Sequence, residues 1–330
     1  MNLRKLGSSG LEISPIGFGA WEIGGDRNAT GNLGAADDRE SIAAIHRAID
    51  YGVNWIDTAP GYGCGHSEEV VGRAIHGMQS PPFVFTKCGF IWASDRQMIN
   101  NIEPRSIRDE IESSLRRLGF GAIDLYQIHW VEPENDPLIE DAWATLVELK
   151  DEGKVAHIGI SNFDVPQLER IARLGPVESL QPPYSLLERN IETSILPYCA
   201  GKGIGVIVYS PLQTGLLGGS LTRTRAESMP AEDARRSDPN FQEPLLTRNL
   251  ERVERLRRLA ERWGTTTART AVAWTLRQTA VSGAIVGFRT PEQVDSLLTE
   301  ELHELDQARL SEIDQIGWTN MLKVREASDV

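Results

Sequence analysis

An α/β chain closed into a parallel barrel of the (β/α)8 kind is what this sequence predicts, and three observations carry the expectation. Short β-branched or apolar runs alternate with helical patterns almost throughout, the sign of βαβ units in a parallel sheet. Eight such runs are present, which is the strand number of the barrel. Four polar residues of different chemistry, Asp57, Tyr62, Lys87 and His129, stand at or just past the ends of three successive runs. The C-terminal ends of all barrel strands open onto one face, so such residues can converge there.

The elements follow in order. RKLGSSGLEIS reads as two short strands around a Ser-Ser-Gly turn, an N-terminal β-hairpin at the bottom of the barrel. The strands are IGFG (16–19), VNWID (53–57), FVFTK (83–87), IDLYQIH (123–129), AHIGIS (156–161), VESLQ (177–181), GVIVYS (205–210) and GAIVG (283–287). Ile42, Ile45 and Ile49 give the first helix its buried stripe before Gly52 closes it. Ser106 caps a later helix with Asp109 three residues on; Ile107, Ile111, Leu115 and Leu118 fall on one face, and Gly119 supplies a left-handed stop. Asp136-Pro137 opens another, with Trp143, Leu146 and Leu149 on its inner face and Gly153 at its end. Residues 218 to about 247 are rich in Gly, Arg and Asp with little apolar periodicity, a long loop between the seventh strand and its helix. An extra C-terminal helix completes the fold. No linker or composition break divides the chain, so 1–330 reads as a single domain.

Composition bounds the function. At 330 residues, 40% hydrophobic and 25% charged, the chain has material for a sizeable core. A net charge of −13 argues against broad nucleic-acid or anionic-membrane binding but leaves room for a local basic pocket. The start, MNLRKLGSSG, lacks a secretory h-region, and no run reaches the length of a membrane span. Cys64, Cys88 and Cys199 form an odd, widely spaced set that fits a reducing cytoplasm, with inert burial the expected state of Cys64 and Cys88. The histidines offer no H-E-x-x-H, so no metal is expected, and there is no G-x-S-x-G elbow.

The four polar residues suit proton delivery to a carbonyl oxygen while a hydride arrives at carbon. A free phenol titrates near about 10, and a neighbouring ammonium lowers that value. Lys87 is the candidate ammonium for Tyr62, Asp57 its ionic partner, and His129 a hydrogen-bonding group for a substrate oxygen. Each residue singly also has a plain structural reading: a strand-end Asp caps a helix, and a Tyr packs.

GFGAW (17–21), NWIDTAPGYGCGHSEEVVGRAI (54–75), FTKCG (85–89), LYQIHW (125–130), GISNF (159–163), QPPYSLLER (181–189), YSPLQTGLLGG (209–219) and VGFRTPEQ (286–293) resemble the aldo-keto reductase family, most of all its bacterial branch related to general stress proteins and inositol-operon reductases. The resemblance runs from the hairpin to about residue 317. It implies a (β/α)8 TIM barrel performing reversible NADPH-dependent carbonyl reduction on a small-molecule aldehyde or ketone, with use of NADH left open. Tyr62 is then the general acid, Lys87 the tuner of its pKa, Asp57 the partner of Lys87, and His129 the orienter of the carbonyl.

No strand–G-x-G-x-x-G–helix unit supports a Rossmann domain; GKGIG (201–205) precedes a strand and reads as a helix stop. The resemblance implies that Gly19, Ala20, Trp21 and Asp57 are among the residues that bind the dinucleotide. Ser161, Asn162 and Gln181 would take the carboxamide and Tyr209 the ring face. Ser210, Pro211, Leu212, Gly215 and Leu216 would run beneath the pyrophosphate, with Gly287, Phe288, Arg289 and Gln293 at the adenosine end. Arg289 has a physical argument of its own, because a guanidinium beside a Thr290-Pro291 helix start makes a phosphate pocket, which favours a 2′-phosphate and hence NADPH. Ser296 and Leu297 stand where the family often has an acid and an Asn for the adenine. Arg223, Arg225, Arg235 and Arg236 put the 218–247 loop on the cofactor side, as a closing element or as a solvated variable loop. Trp21, Trp92 and Trp130, with Tyr62 and His129, are the expected substrate-binding residues.

Two other function classes stay in view: a nucleotide-binding redox-sensing or regulatory subunit with little turnover, and a metal-dependent barrel hydrolase, which no ligand cluster supports. The sequence does not name the carbonyl compound or the oligomeric state.

Overall fold

In the computed structural model, residues 1–27 and 34–318 are described. The chain opens with an antiparallel pair, β1 (Arg4–Lys5) and β2 (Glu12–Ile13), around the Ser-Ser-Gly turn. The barrel begins with β3 (Ile16–Gly19), β4 (Trp55–Asp57) and β5 (Phe83–Cys88). A second antiparallel pair outside the barrel follows, β6 (Phe90–Trp92) and β7 (Met98–Asn100). The barrel then continues through β8 (Ile123–Ile128), β9 (Val155–Ser161), β10 (Ser179–Gln181), β11 (Gly205–Val208) and β12 (Val281–Gly287). These eight strands pair in parallel in chain order, and β12 closes onto β3 with Gly287 opposite Gly19. All eight expected strands are present, and the closed barrel is the expected fold.

Eleven helices among the described residues complete the layers: α1 (Asp38–Asp50), α2 (His66–Ile75), α3 (Pro104–Leu118), α4 (Ile139–Asp151), α5 (Val165–Ile171), α6 (Ile195–Lys202), α7 (Arg223–Glu227), α8 (Leu245–Arg262), α9 (Thr267–Thr275), α10 (Pro291–Leu298) and α11 (Gln307–Asp314). None is long and apolar enough to cross a membrane. The last of them is the expected extra C-terminal helix.

Helix starts depart from the sequence reading in instructive ways. Ser106 does not cap α3; the helix begins two residues earlier, at Pro104, whose fixed φ suits a first helical position. Ser106 lies inside it and donates to Glu110 at 3.2 Å. Asp136-Pro137 sits in a 3-10 turn, Pro133–Leu138, and α4 proper starts at Ile139. The buried face of α1 is Ser41, Ala44, Ile45 and Ala48, with Ile42 and Ile49 only half-buried at its margin. The stops hold: Gly119 (φ 76°) and Gly153 (φ 75°) are left-handed.

Two apolar layers hold the fold together. The outer one packs helices on strands, which is why the strands read as continuous apolar runs buried on both faces. The inner one fills the barrel with Trp55, Phe85, Leu125, Ile207 and Ile285, and the hairpin contributes Leu6 and Ile13 to it from below. Trp55 lies across Gly17, where an added Cβ would sit 2.3 Å from the indole, and its Nε1 donates to the Ser14 carbonyl at 2.9 Å. A side chain at position 17 and the indole cannot share that space. With the bottom closed this way, the face where the strands end is left open for chemistry.

The 218–247 loop is not featureless. It holds α7 and 3-10 turns at Ala234–Arg236 and Pro239–Phe241, and Phe241 is buried against the core.

Candidate active site

Parallel pairing brings the four polar residues together. Asp57 is the last residue of β4, Lys87 the next-to-last of β5, and His129 the first residue beyond β8. Tyr62 stands in the turn between β4 and α2. That turn is fixed by the buried hydroxyls of Thr58 and Ser67, 2.9 Å apart, and Ser67 also donates to the Ala20 carbonyl at 2.7 Å.

Lys87 is the hub. Its ammonium, fully buried, donates to Asp57 Oδ1 at 2.5 Å, to the Thr58 carbonyl at 2.9 Å and to the Tyr62 hydroxyl at 3.2 Å. Burial pushes the Lys87 pKa down, and the Asp57 carboxylate opposes that push. The second oxygen of Asp57 accepts from Gln181 Nε2 at 2.8 Å, which extends the network to the end of β10. Ser161 donates to the Gln181 carbonyl at 2.7 Å. Asn162 adopts a left-handed backbone (φ 64°) and donates to the His129 carbonyl at 3.0 Å, while its Oδ1 accepts from Tyr209 at 2.8 Å. A polar belt therefore crosses the mouth of the barrel from Tyr62 to Tyr209.

One expectation from the sequence is corrected here. The Tyr62 phenol is held well above its usual pKa, not below it, by burial first and then by the charges of Asp57 and Glu22. A phenol held up in this direction keeps its proton at neutral pH. His129 is neutral as well: burial, then the Lys87 charge, hold it well below the usual imidazole value. Its ring meets Tyr62 and Phe90 edge-on, with centroids 5.7 and 5.2 Å apart. Among the described residues, His129 Nδ1 is buried with no hydrogen-bond partner.

A groove of about 740 Å³ runs from this belt across the barrel mouth. Tyr62, His129, Trp21, Trp130 and the unforeseen Phe90 line one end. Gly19, Ala20, Ser210, Pro211, Leu212, Gly215, Gly287, Phe288, Arg289 and Gln293 line the groove as well. Two expected residues are elsewhere. Leu216 is fully buried in the hydrophobic core, and Thr214 takes its place on the wall. Trp92 packs over the Arg117 guanidinium, 5.7 Å from its ring centre, not on the groove.

Along the β11–α7 connection Ser210, Gln213, Thr214 and Gly215 all have positive φ, from 46° to 92°. The amides of Gln213, Gly215 and Leu216 close on the carbonyls of Ser210, Leu212 and Gln213 at 3.0 Å, so the connection is a series of tight turns. The Thr214 hydroxyl is buried there with no partner among the described residues. Three guanidinium groups reach the groove, from Arg225, Arg235 and Arg289. Of the other two loop arginines, Arg223 pairs with Glu243 and Arg236 donates to the Met229 carbonyl at 2.9 Å. Arg289 donates to the Gly34 carbonyl at 3.2 Å, and its own amide is taken by Gln293 Oε1 at 2.7 Å, so Gln293 orders the helix start instead of leaving it open. Leu297 lines the groove, whereas the Ser296 hydroxyl turns back to the Gln293 carbonyl at 2.7 Å. Cys88 is buried, and burial raises the thiol pKa of both Cys64 and Cys88, so neither is a poised nucleophile.

A parallel barrel with a buried acid–amine–phenol chain and a long basic groove at its open end is the build of a dinucleotide-linked oxidoreductase. The model of the aldo/keto reductase family matches residues 15–317, and the chain belongs to that family. It is 38% identical to the aldo-keto reductase YhdN of Bacillus subtilis over 90% of this chain and 88% of that one. It is also 38% identical to an NADH-specific methylglyoxal reductase of Escherichia coli, over 88% of this chain and 90% of that one. A solved glycerol dehydrogenase of Gluconobacter oxydans superposes with a TM-score of 0.86 at 35% identity, covering 96% of this chain and 94% of that one.

Proposed function

We propose that this protein is a cytoplasmic, NADPH-dependent reductase that converts aldehydes or ketones to alcohols, with Tyr62 as the general acid. The single observation that supports it most is the Lys87 ammonium, which joins Asp57 and Tyr62 beneath the groove at 2.5 and 3.2 Å. The groove fits a dinucleotide on its own chemistry: an unpartnered Thr214 hydroxyl and three guanidinium groups. Ser161, Asn162, Gln181 and Tyr209 would hold the nicotinamide end, and Arg289 would hold a 2′-phosphate. When bound, the dinucleotide supplies the hydride.

The chain's own residues do the rest. Tyr62 holds its proton until a carbonyl oxygen gains negative charge, then donates it. The ammonium of Lys87, 3.2 Å away, is placed to stabilise the phenolate left behind. Neutral His129 offers a ring nitrogen to the same oxygen, and Trp21, Phe90 and Trp130 form an apolar wall that keeps water from the reacting carbon.

Steady-state consumption of NADPH with a simple aldehyde, with alcohol formed in equal amount, tests this reading. Tight nucleotide binding with no turnover on a panel of carbonyls would instead indicate a sensing or regulatory subunit. Arg289→Ala is expected to weaken NADPH by roughly tenfold or more and NADH far less, read by quenching of tryptophan fluorescence. Equal losses for both would remove Arg289 from the 2′-phosphate. The NADH specificity of the E. coli relative makes the comparison of both dinucleotides the informative one.

A further inference from the structure

Glu22 transfers no proton in the proposed chemistry and acts on Tyr62 only through its charge, yet its side chain lines the groove. It begins the 3-10 turn Glu22–Arg27 that follows β3, and its side chain fills the space where Gly287 lacks a Cβ. A Cβ at position 287 would fall 1.9 Å from Glu22 Oε1, so the carboxyl rests directly on the backbone at the end of β12. The accessible remainder of this half-buried side chain faces the groove.

The charges around it are mostly basic. Arg289 acts on it from the β12–α10 junction, and Arg225 and Arg235 come from the long loop, the latter already paired with Asp233 at 2.5 Å. From the barrel side come Asp57, paired with Lys87, and the neutral Tyr62. Helix α2, packed against the turn, contributes His66, held 2.8 Å from Asp38. Within the groove this leaves Arg225 and Arg289 as cations without a carboxylate in salt-bridge contact among the described residues. An ionised Glu22 would offset one of them and repel a phosphate drawn to the same groove.

We propose that Glu22 makes dinucleotide binding proton-linked: the groove accepts the anionic pyrophosphate with Glu22 in its carboxylic-acid form, so binding takes up one proton. The proposal rests on the groove being the dinucleotide site. Burial raises the Glu22 carboxyl to about 7, opposed by its own backbone amide and by Arg289. The sign follows from linkage. Below about pH 7 Glu22 already carries its proton, and affinity does not depend on it. Above that value the proton must be taken up on binding, and affinity falls as pH rises.

The test is the dissociation constant of NADH and of NADPH, by tryptophan fluorescence, from about pH 6.5 to about pH 8.5. A 2′-phosphate titrates near about pH 6, below this window. In the wild type the constant is expected to rise above about pH 7 with a slope approaching about tenfold per pH unit. Glu22→Gln, which keeps the shape and removes the charge, should flatten the profile and bind more tightly than wild type at the alkaline end. Calorimetry of the wild type in two buffers of different ionisation enthalpy should show a net proton taken up near about pH 7.5, a readout that needs no variant. A flat wild-type profile, or an unchanged slope in Glu22→Gln, overturns the proposal while leaving the groove as the dinucleotide site. Failure of the wild type to bind either dinucleotide at any pH overturns both.

Discussion

Replacing Tyr62 by phenylalanine is expected to lower turnover of an aldehyde by about 10²–10⁴-fold, the usual contribution of a general acid, while dinucleotide binding stays intact. The reasoning is geometric. Removing the hydroxyl leaves the Lys87 ammonium with two of its three partners, the Asp57 carboxylate and the Thr58 carbonyl. The charge pair therefore survives, the ring still packs edge-on against His129, and the groove keeps its shape. Only the proton donor is lost. Stopped-flow reduction under single-turnover conditions, with fluorescence titration of the dinucleotide, separates the two effects. Lost binding with normal turnover of the residual complex would contradict the role given to Tyr62.

Lys87→Met tests the other half of the site and is expected to act on stability as well as rate. The ammonium and the Asp57 carboxylate are both buried, and removing one partner leaves the other as an uncompensated charge. Such losses cost about 3–5 kcal/mol, enough to move a urea midpoint by a large fraction of its value. Turnover should fall with it, because nothing then stabilises a phenolate at position 62. Adding Asp57→Asn to Lys87→Met removes the stranded charge. Much of the stability should return with turnover still absent. A single variant that loses less than about 1 kcal/mol would behave like a surface pair, and the burial argument would fall.

The barrel was legible because its strands are buried on both faces and so read as uninterrupted apolar runs, while their last residues turn polar abruptly. Asp57, Lys87 and His129 were visible for that reason, and the register of β4, β5 and β8 staggers them around the mouth, with Asp57 opposite Phe85 and Lys87 opposite Gln127. The β6–β7 pair was missed because its residues are half-exposed and show no period. That omission misplaced Trp92, which lies further along β6 over Arg117, and hid Phe90, which the strand start sets against His129. The direction of the Tyr62 shift was out of reach for a different reason. It depends on burial first and then on the charges of Asp57 and Glu22 in space, and a lysine named alone suggests only its own sign. Glu22 gave no signal, since a carboxylate three residues past a strand is ordinary until Gly287 is seen beneath it.

The closure of β12 onto β3 sets a condition on how the chain matures. Arg4 donates to the Leu276 and Val281 carbonyls at 3.0 and 3.1 Å, and Ser282 donates to the Lys5 carbonyl at 2.9 Å, so the opening hairpin is stitched to the final strand. During synthesis the hairpin leaves the ribosome with β12, its docking partner, still untranslated. Its apolar side must wait, shielded only by transient contacts, until the eighth strand emerges. Ring closure is therefore a late event, and chaperone dependence should track the interval between translation of residue 13 and translation of residue 287.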